Sequence, residues 1–407
     1  MRKVCVEHLK PGMVLGTNIY GYDGSILYEK GYELDEGSIT TLMEGDLSYL
    51  QIRDSRDKET AREDLFRRCD EYVHEFFQYV NPENELFNEM FRQTLKRAFK
   101  AVQYKWELPC AAELRAKNVE HLTDALFIEE TRPEEIVKYE TELVSFPDIY
   151  VQIQEVLNDV NSSAEDIAKV VSRDIGLSAK LLKLINSPFY SLSQKVDSIS
   201  RAVSLLGSNE VSSLALGVST IDFFENIPPE LMDMKTFWKH SLRCAVYSRM
   251  LASRMQGVEE DKFFTAGLLH DVGRLILFKN MPYASVQVLL FARGNMLPLV
   301  EAESAVLGYD HTDVGALLLE EWSFPGPLVE MIRKHHKFED AEPSVEAAII
   351  QLADNLAIAS DIPSGGRFVL PGMGQDTLKV LRLSVEDLQE LFDMHDQYIQ
   401  GVLDVYL

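Results

Sequence analysis

The sequence predicts a mainly α-helical protein with a small β-rich module at its N-terminus, and three observations carry that prediction. Short apolar runs broken by Pro11-Gly12, Asp23-Gly24 and Gly31 fill the first 55 residues, which is strand and turn chemistry. From about residue 57 apolar positions recur at helical spacing, as in Leu65, Cys69, Tyr72 and Phe76. A long helical region then begins near Leu143 and runs almost to the end, punctuated by caps and breakers.

At 407 residues, 46% hydrophobic and 26% charged, the chain can bury a sizeable core and hold two or three domains. It has no run of 18 or more uncharged apolar residues, and its start, MRKVCVEHLKPGM, lacks an apolar signal core. The expectation is a cytoplasmic protein that does not enter a membrane. Cys5, Cys69, Cys110 and Cys244 form no C-x-x-C pair, which reads as reduced thiols. The 65 acidic against 40 basic residues give a net charge of -25, which repels phosphate backbones and argues against nucleic-acid binding. Arg92, Lys96, Arg97, Lys100 and Lys105, the densest basic stretch, are spaced as the solvated face of an amphipathic helix.

The elements follow in order. A helical connector covers residues 56–139, and the acidic stretch IEETRPEEIVKYETEL leads into the long helical region. Ser162 with Glu165 three residues later predicts a capping box and a helix start. Gly176 marks a break, the next helix carries Leu177, Leu181, Leu184 and Ile185 on one side, and Pro188 follows its end. Two apolar helical segments meet at Gly207-Ser208-Asn209; the second offers Val211, Ser212, Ser213, Leu214, Ala215 and Leu216 where base reading would need Arg, Asn or Gln. Trp322, Phe324 and Pro325 read as core. Beyond Asp361 a turn-rich segment precedes a closing amphipathic helix with Leu388, Leu391, Phe392 and Ile399. The domain boundaries drawn are 1–55, 56–139, 140–360 and 361–407.

Seven side chains in the second half, His240, His270, Asp271, His311, His335, His336 and Asp354, include five of the nine histidines. Imidazoles with carboxylates suit one or two divalent ions such as Fe, Mn, Ni or Zn, and a shared carboxylate can bridge two. His240 lies in a helix with two largely apolar stripes, His270 and Asp271 lie in the apolar run FFTAGLLHDVGRLILF, and Asp354 interrupts AAIIQLADNLAIA. Buried polar groups need partners, and a bound cation would account for all of them together. Taken singly, a buried histidine such as His240 or His311 reads more readily as a hydrogen-bonded core residue than as a ligand, and Asp354 as a helix cap or a partner of Arg.

The segments FPDIYVQI, RDIGLSAKLLKLINSPFY, SISRAVSLLG, GLLHDVGRL and GYDHTDVGALLLEEWSFP together resemble an HDOD domain, an HD-related output domain, over roughly residues 140 to 360. The resemblance implies an all-helical domain and a role in bacterial signal transduction through other signalling proteins, and leaves its chemistry open. The β-rich start resembles the module that precedes some HD-GYP phosphodiesterases. The ligand order also resembles theirs, which would make His240, His270, Asp271 and Asp354 the core ligands, Asp271 bridging, with His311, His335 and His336 completing a second metal. That likeness also assigns catalytic roles to Asp271 and to Arg274, whose guanidinium could hold a substrate phosphate or form a surface salt bridge. The alternative function it implies is a metal-dependent phosphohydrolase acting on a nucleotide or cyclic dinucleotide. No Gly-Tyr-Pro segment follows His336, and Thr236 stands where some of those enzymes carry a third-metal glutamate, so two ions at most are expected.

Overall fold

The computed structural model describes residues 2–21, 25–43, 47, 49–53, 58–103, 132–143, 148–159, 161–224, 227, 231–258, 260–337, 344–361 and 369–407. The chain divides into two compact units, Met1–Tyr72 with Phe99–Ala125 and Val73–Ala98 with Leu126–Leu407. The packing thus follows neither edge of the sequence-drawn connector, and the 361–407 tail belongs to the same unit as residues 140–360.

In the first unit β1 (Arg2–Cys5) pairs antiparallel with β4 (Tyr49–Ile52), and β2 (Ile19–Tyr20) with β3 (Ile26–Tyr28). Leu50 and Ile52, alternate residues of β4, point inward with Val4, Leu15 and Leu34, beside helix α1 (Glu36–Met43). Alternation of this kind is what one buried sheet face demands. Cys5 is disulfide-bonded, which corrects the reading of four thiols; Cys69 and Cys244 are free. The isolated spacing of the cysteines could not show which of them the fold brings to a partner.

Two long helices, α2 (Lys58–Phe76) and α3 (Glu85–Gln103), run through the division between the units. Within the second unit Thr94 donates to the carbonyl of Ala359 at 3.3 Å and Arg97 pairs with Asp396 at 2.8 Å. The basic face of α3 is therefore partly neutralised by acidic neighbours, Arg92 lying 3.4 Å from Glu89. Lys105 lies outside the described residues.

The second unit continues through α4 (Pro133–Leu143), α5 (Asp148–Asn158), α6 (Ala164–Ser172), α7 (Ile175–Ile185), α8 (Ile199–Leu206) and α9 (Ser208–Phe223). The expected capping box is there one residue later: Ser163 and Asp166 form it, while Ser162 donates to the Asp159 carbonyl. Asp174 caps α7 by accepting from the Leu177 amide, and Gly207, with φ +87°, lets the chain turn from α8 into α9, a backbone conformation that glycine adopts at little cost. Then come α10 (Met234–Ala252), α11 (Phe263–Leu269), α12 (Val272–Asn280), α13 (Pro282–Asn295), α14 (Leu299–Leu307), α15 (His311–Glu321), α16 (Gly326–Lys334), α17 (Val345–Ser360), α18 (Gln375–Leu381) and α19 (Val385–Tyr406). No described helix is long and apolar enough to cross a membrane alone.

At the centre of this unit α17 is buried from Ala347 to Ser360, as expected of a helix packed on all sides. Two close approaches set its neighbours. A Cβ on Gly267 of α11 would meet Ser248 Oγ at 2.5 Å and the Ala245 Cα at 2.8 Å, so α11 lies directly on α10. A Cβ on Gly273 of α12 would meet the His311 carbonyl oxygen at 2.0 Å and the Gly315 amide nitrogen at 2.6 Å. Here α12 and α15 cross backbone to backbone, which only glycine permits. Trp322 and Phe324 are buried, as the sequence indicated, whereas Pro325, also read as core, is exposed at the N-cap of α16.

Candidate metal centre

All seven ligand-type side chains converge in the second unit. Each is delivered by a local device. His240 sits in the middle of buried α10, whose first turn is capped by Asp233; Thr236 donates to the Asp233 carboxylate at 2.5 Å. The apolar run that holds His270 and Asp271 is helical on both sides of them and breaks at them into α11 and α12. Asp271 has φ −97° and ψ 7°, the bridge region where a chain can stop one helix and start another. His311 opens α15, whose N-cap Asp310 accepts from the Thr312 amide at 2.7 Å. His335 and His336 follow the last turn of α16, and Asp354 projects from mid-α17.

His240 and His336 are 6% exposed and the other five are 0% exposed. The donor atoms fall into two groups, Asp271 with His311, His335 and His336, and His240 with His270 and Asp354, each group's atoms lying within 4.8 Å of one another. The carboxylates straddle the groups. Asp271 Oδ1 is 3.2 Å from His311 Nε2, while its Oδ2 is 3.4 Å from His270 Nε2. Asp354 Oδ1 is 3.0 Å from His240 Nε2 and its Oδ2 is 3.6 Å from His336 Nε2.

The imidazoles are held from outside. His270 Nδ1 donates to the Gly267 carbonyl at 2.8 Å and His335 Nδ1 to the Ile332 carbonyl at 2.6 Å. A carbonyl can only accept, so Nδ1 of each ring carries a proton and Nε2 is the atom that faces inward. His335 Nε2 and both ring nitrogens of His336 make no hydrogen bond among the described residues, an arrangement that costs free energy unless a cation fills it. The donor set, neutral imidazoles plus carboxylates, fits one or two divalent ions.

Sequence reasoning missed one member of the centre. Glu303, on α14 and 2% exposed, accepts from the His311 amide at 3.0 Å, from His311 Nδ1, and from Arg274 Nε at 3.1 Å. Arg274 in turn donates through Nη1 to Asp271 Oδ2 at 2.6 Å. Arg274 is 3% exposed, which removes the surface salt bridge as its role and commits two of its donors to carboxylates.

Electrostatics follow the burial. Burial favours the neutral form of Glu303, but the charges of His311 and Arg274 outweigh it and hold the carboxyl below its ordinary range. Burial lowers the proton affinity of His270, and the Asp271 charge overrides it, leaving His270 well above the usual imidazole value. At His335 burial, reinforced by His270 and His311, wins, and the ring is held well below that value. His336 is likewise lowered by burial and then by His335.

Residues 143–338 match the HDOD domain family. A protein of unassigned role from Treponema pallidum is 23% identical over 214 residues, which are 52% of this chain and 41% of that protein. Among solved structures, a Shewanella amazonensis protein provisionally named a phosphohydrolase is 24% identical with a TM-score of 0.54, covering 67% of this chain and 98% of that one. A Marinobacter aquaeolei protein provisionally named for signal transduction is 23% identical with a TM-score of 0.53, covering 72% of this chain and 64% of that one. These likenesses show the fold.

Proposed function

We propose, from the HDOD domain at residues 143–338, that this chain is a cytoplasmic signal-transduction output protein that binds one or two divalent metal ions at the seven-residue centre and acts through protein partners. One observation carries the reading: seven ligand-type side chains separated in sequence meet with their donor atoms in two compact groups. His240, His270 and Asp354 would hold one ion and Asp271, His311, His335 and His336 the other, with either carboxylate able to face both. The residues' own work is positional. The Gly267 and Ile332 carbonyls hold His270 and His335 by Nδ1 with Nε2 turned inward, and the burial of all seven side chains keeps bulk water off the donors.

A second reading, a metal-dependent phosphohydrolase acting on a nucleotide or cyclic dinucleotide, rests on the Asp271 position between the two groups and on the provisional name of the Shewanella protein. A bound divalent ion would supply Lewis acidity toward a phosphoryl oxygen. Arg274, expected to hold a substrate phosphate, bonds Asp271 and Glu303 instead; in this reading it orients Asp271. The burial of the donors favours the first reading over rapid turnover, because a substrate needs a path to them.

Elemental analysis of protein purified without chelator or metal-binding tag, beside Asp271→Ala, tests the site. One to two equivalents of Fe, Mn, Ni or Zn, lost in the variant, is the expected result. A folded wild-type protein without metal overturns both readings of the centre and leaves a pure interaction module.

A further inference from the structure

We propose that Glu303 is a positioning residue of the centre, fixing the tautomer and orientation of His311 and, through Arg274, the orientation of Asp271. The inference rests on the metal-binding reading above and deepens it. Four side chains close a ring: Glu303 Oε2 accepts from the His311 amide and Nδ1, His311 Nε2 lies 3.2 Å from Asp271 Oδ1, Asp271 Oδ2 accepts from Arg274 Nη1, and Arg274 Nε returns to Glu303 Oε1. A carboxylate on Nδ1 does two things to an imidazole ligand: it keeps the proton on that nitrogen and makes the opposite lone pair more basic. It also fixes the ring plane, here in two places, because the same oxygen takes the backbone amide of the residue that it orients.

Nothing in the ring is left to solvent. Glu303, His311, Asp271 and Arg274 are each at most 3% exposed. Glu303 is anchored in turn by α14, whose neighbouring Ala302 is 0% exposed and packs with Val288 and Ala292 of α13. A hairpin with no ligand of its own therefore reaches the centre through one carboxylate. A purely structural role, an ion pair between Glu303 and Arg274 tying α14 to α12, would need neither the bond to His311 Nδ1 nor the one to its amide.

The test compares wild type with Glu303→Gln and Glu303→Asp by competition for Zn²⁺ against a chelator of known affinity, and by the proton and nitrogen-15 shifts of the His311 Nδ1–H in the Zn²⁺-loaded protein. Glu303→Gln should bind Zn²⁺ about 10- to 100-fold more weakly, the usual effect of weakening a hydrogen-bond partner behind a ligand, and its His311 Nδ1–H signal should move upfield as the bond to a carboxylate is lost. Glu303→Asp, which keeps the charge with a shorter reach, should fall between, and it replaces the Gln variant if that one does not fold. On a His311→Ala background the Glu303 substitution should cost less than in the wild type, the remaining loss reporting its second path through Arg274 to Asp271. Equal Zn²⁺ affinity with an unchanged His311 Nδ1–H signal, in whichever variant folds, overturns the inference alone. A wild-type protein that takes up no Zn²⁺ overturns the metal reading and this inference with it.

Discussion

Gly273→Ala should damage stability and metal binding together. The new methyl carbon would lie 2.0 Å from the His311 carbonyl oxygen and 2.6 Å from the Gly315 amide nitrogen, where ordinary contacts are 3.4–4 Å. Both obstacles are backbone, so no side chain can swing aside; α12 and α15 must part by more than 1 Å. Overpacking of this kind costs about 1–3 kcal/mol, and rigid backbone neighbours place this site near the upper end. In a unit of this size that loss lowers the melting temperature by roughly 3–5 °C. His311 rides on α15 and Asp271 on the start of α12, so their 3.2 Å approach opens by a comparable distance. Thermal melts of the metal-free protein and Zn²⁺ competition read the two effects. Gly294→Ala, where a Cβ meets nothing within 4 Å, serves as the control and should be neutral or slightly stabilising. Gly273→Ala that melts within a degree of wild type and binds Zn²⁺ equally would refute the claim that this crossing sets the centre.

Three further outcomes are expected. His395 is stacked on Tyr247 with 4.2 Å between ring centroids, and burial lowers its pKa to about 4. Above the unfolded value near 6.5 the group contributes nothing, whereas between about 6.5 and 4 the unfolded chain takes up a proton that the folded one refuses. Stability should therefore fall with acidification by about 1.4 kcal/mol per pH unit in that window, and in urea titrations at pH 7 and pH 5 His395→Leu should lose less than wild type; equal losses would remove His395 as a cause. Arg249→Met should cost roughly 3–5 kcal/mol, because it strips the cation from Glu210, a carboxylate 1% exposed that also accepts from Tyr190 at 2.8 Å; a denaturant midpoint near wild type would show that Glu210 does not need it. Saturating Zn²⁺ at 100 times its dissociation constant should stabilise wild type by about 2.7 kcal/mol and leave Asp271→Ala unmoved, as calorimetric scans with and without the ion would show.

The helical architecture was legible because caps and apolar periodicity are local. Asp174, Ser198, Asp233, Asp310, Ser344 and Ser384 each accept from an amide of the first turn they cap. The centre was legible in residue type and order, since histidine and aspartate in apolar runs call for partners. Its supporting shell was not. Glu303, in LVEAESAVL, has the spacing of an exposed helix charge, and only the crossing of α12, α14 and α15 buries it. The break at His270-Asp271 was hidden for the same reason: the packing beside it, of Gly273 on α15, involves residues nearly 40 positions downstream.

With five of its seven side chains wholly buried, the centre has a clock as well as a geometry. A hydrated ion is too large to slip between close-packed helices, so loading and release require part of the unit to open. Amide exchange along α17 therefore measures the same event that would govern stripping by a chelator. If such openings are rare beside the lifetime of the protein, an ion is acquired while the chain folds, and its identity records the metal available at synthesis rather than at the moment of signalling.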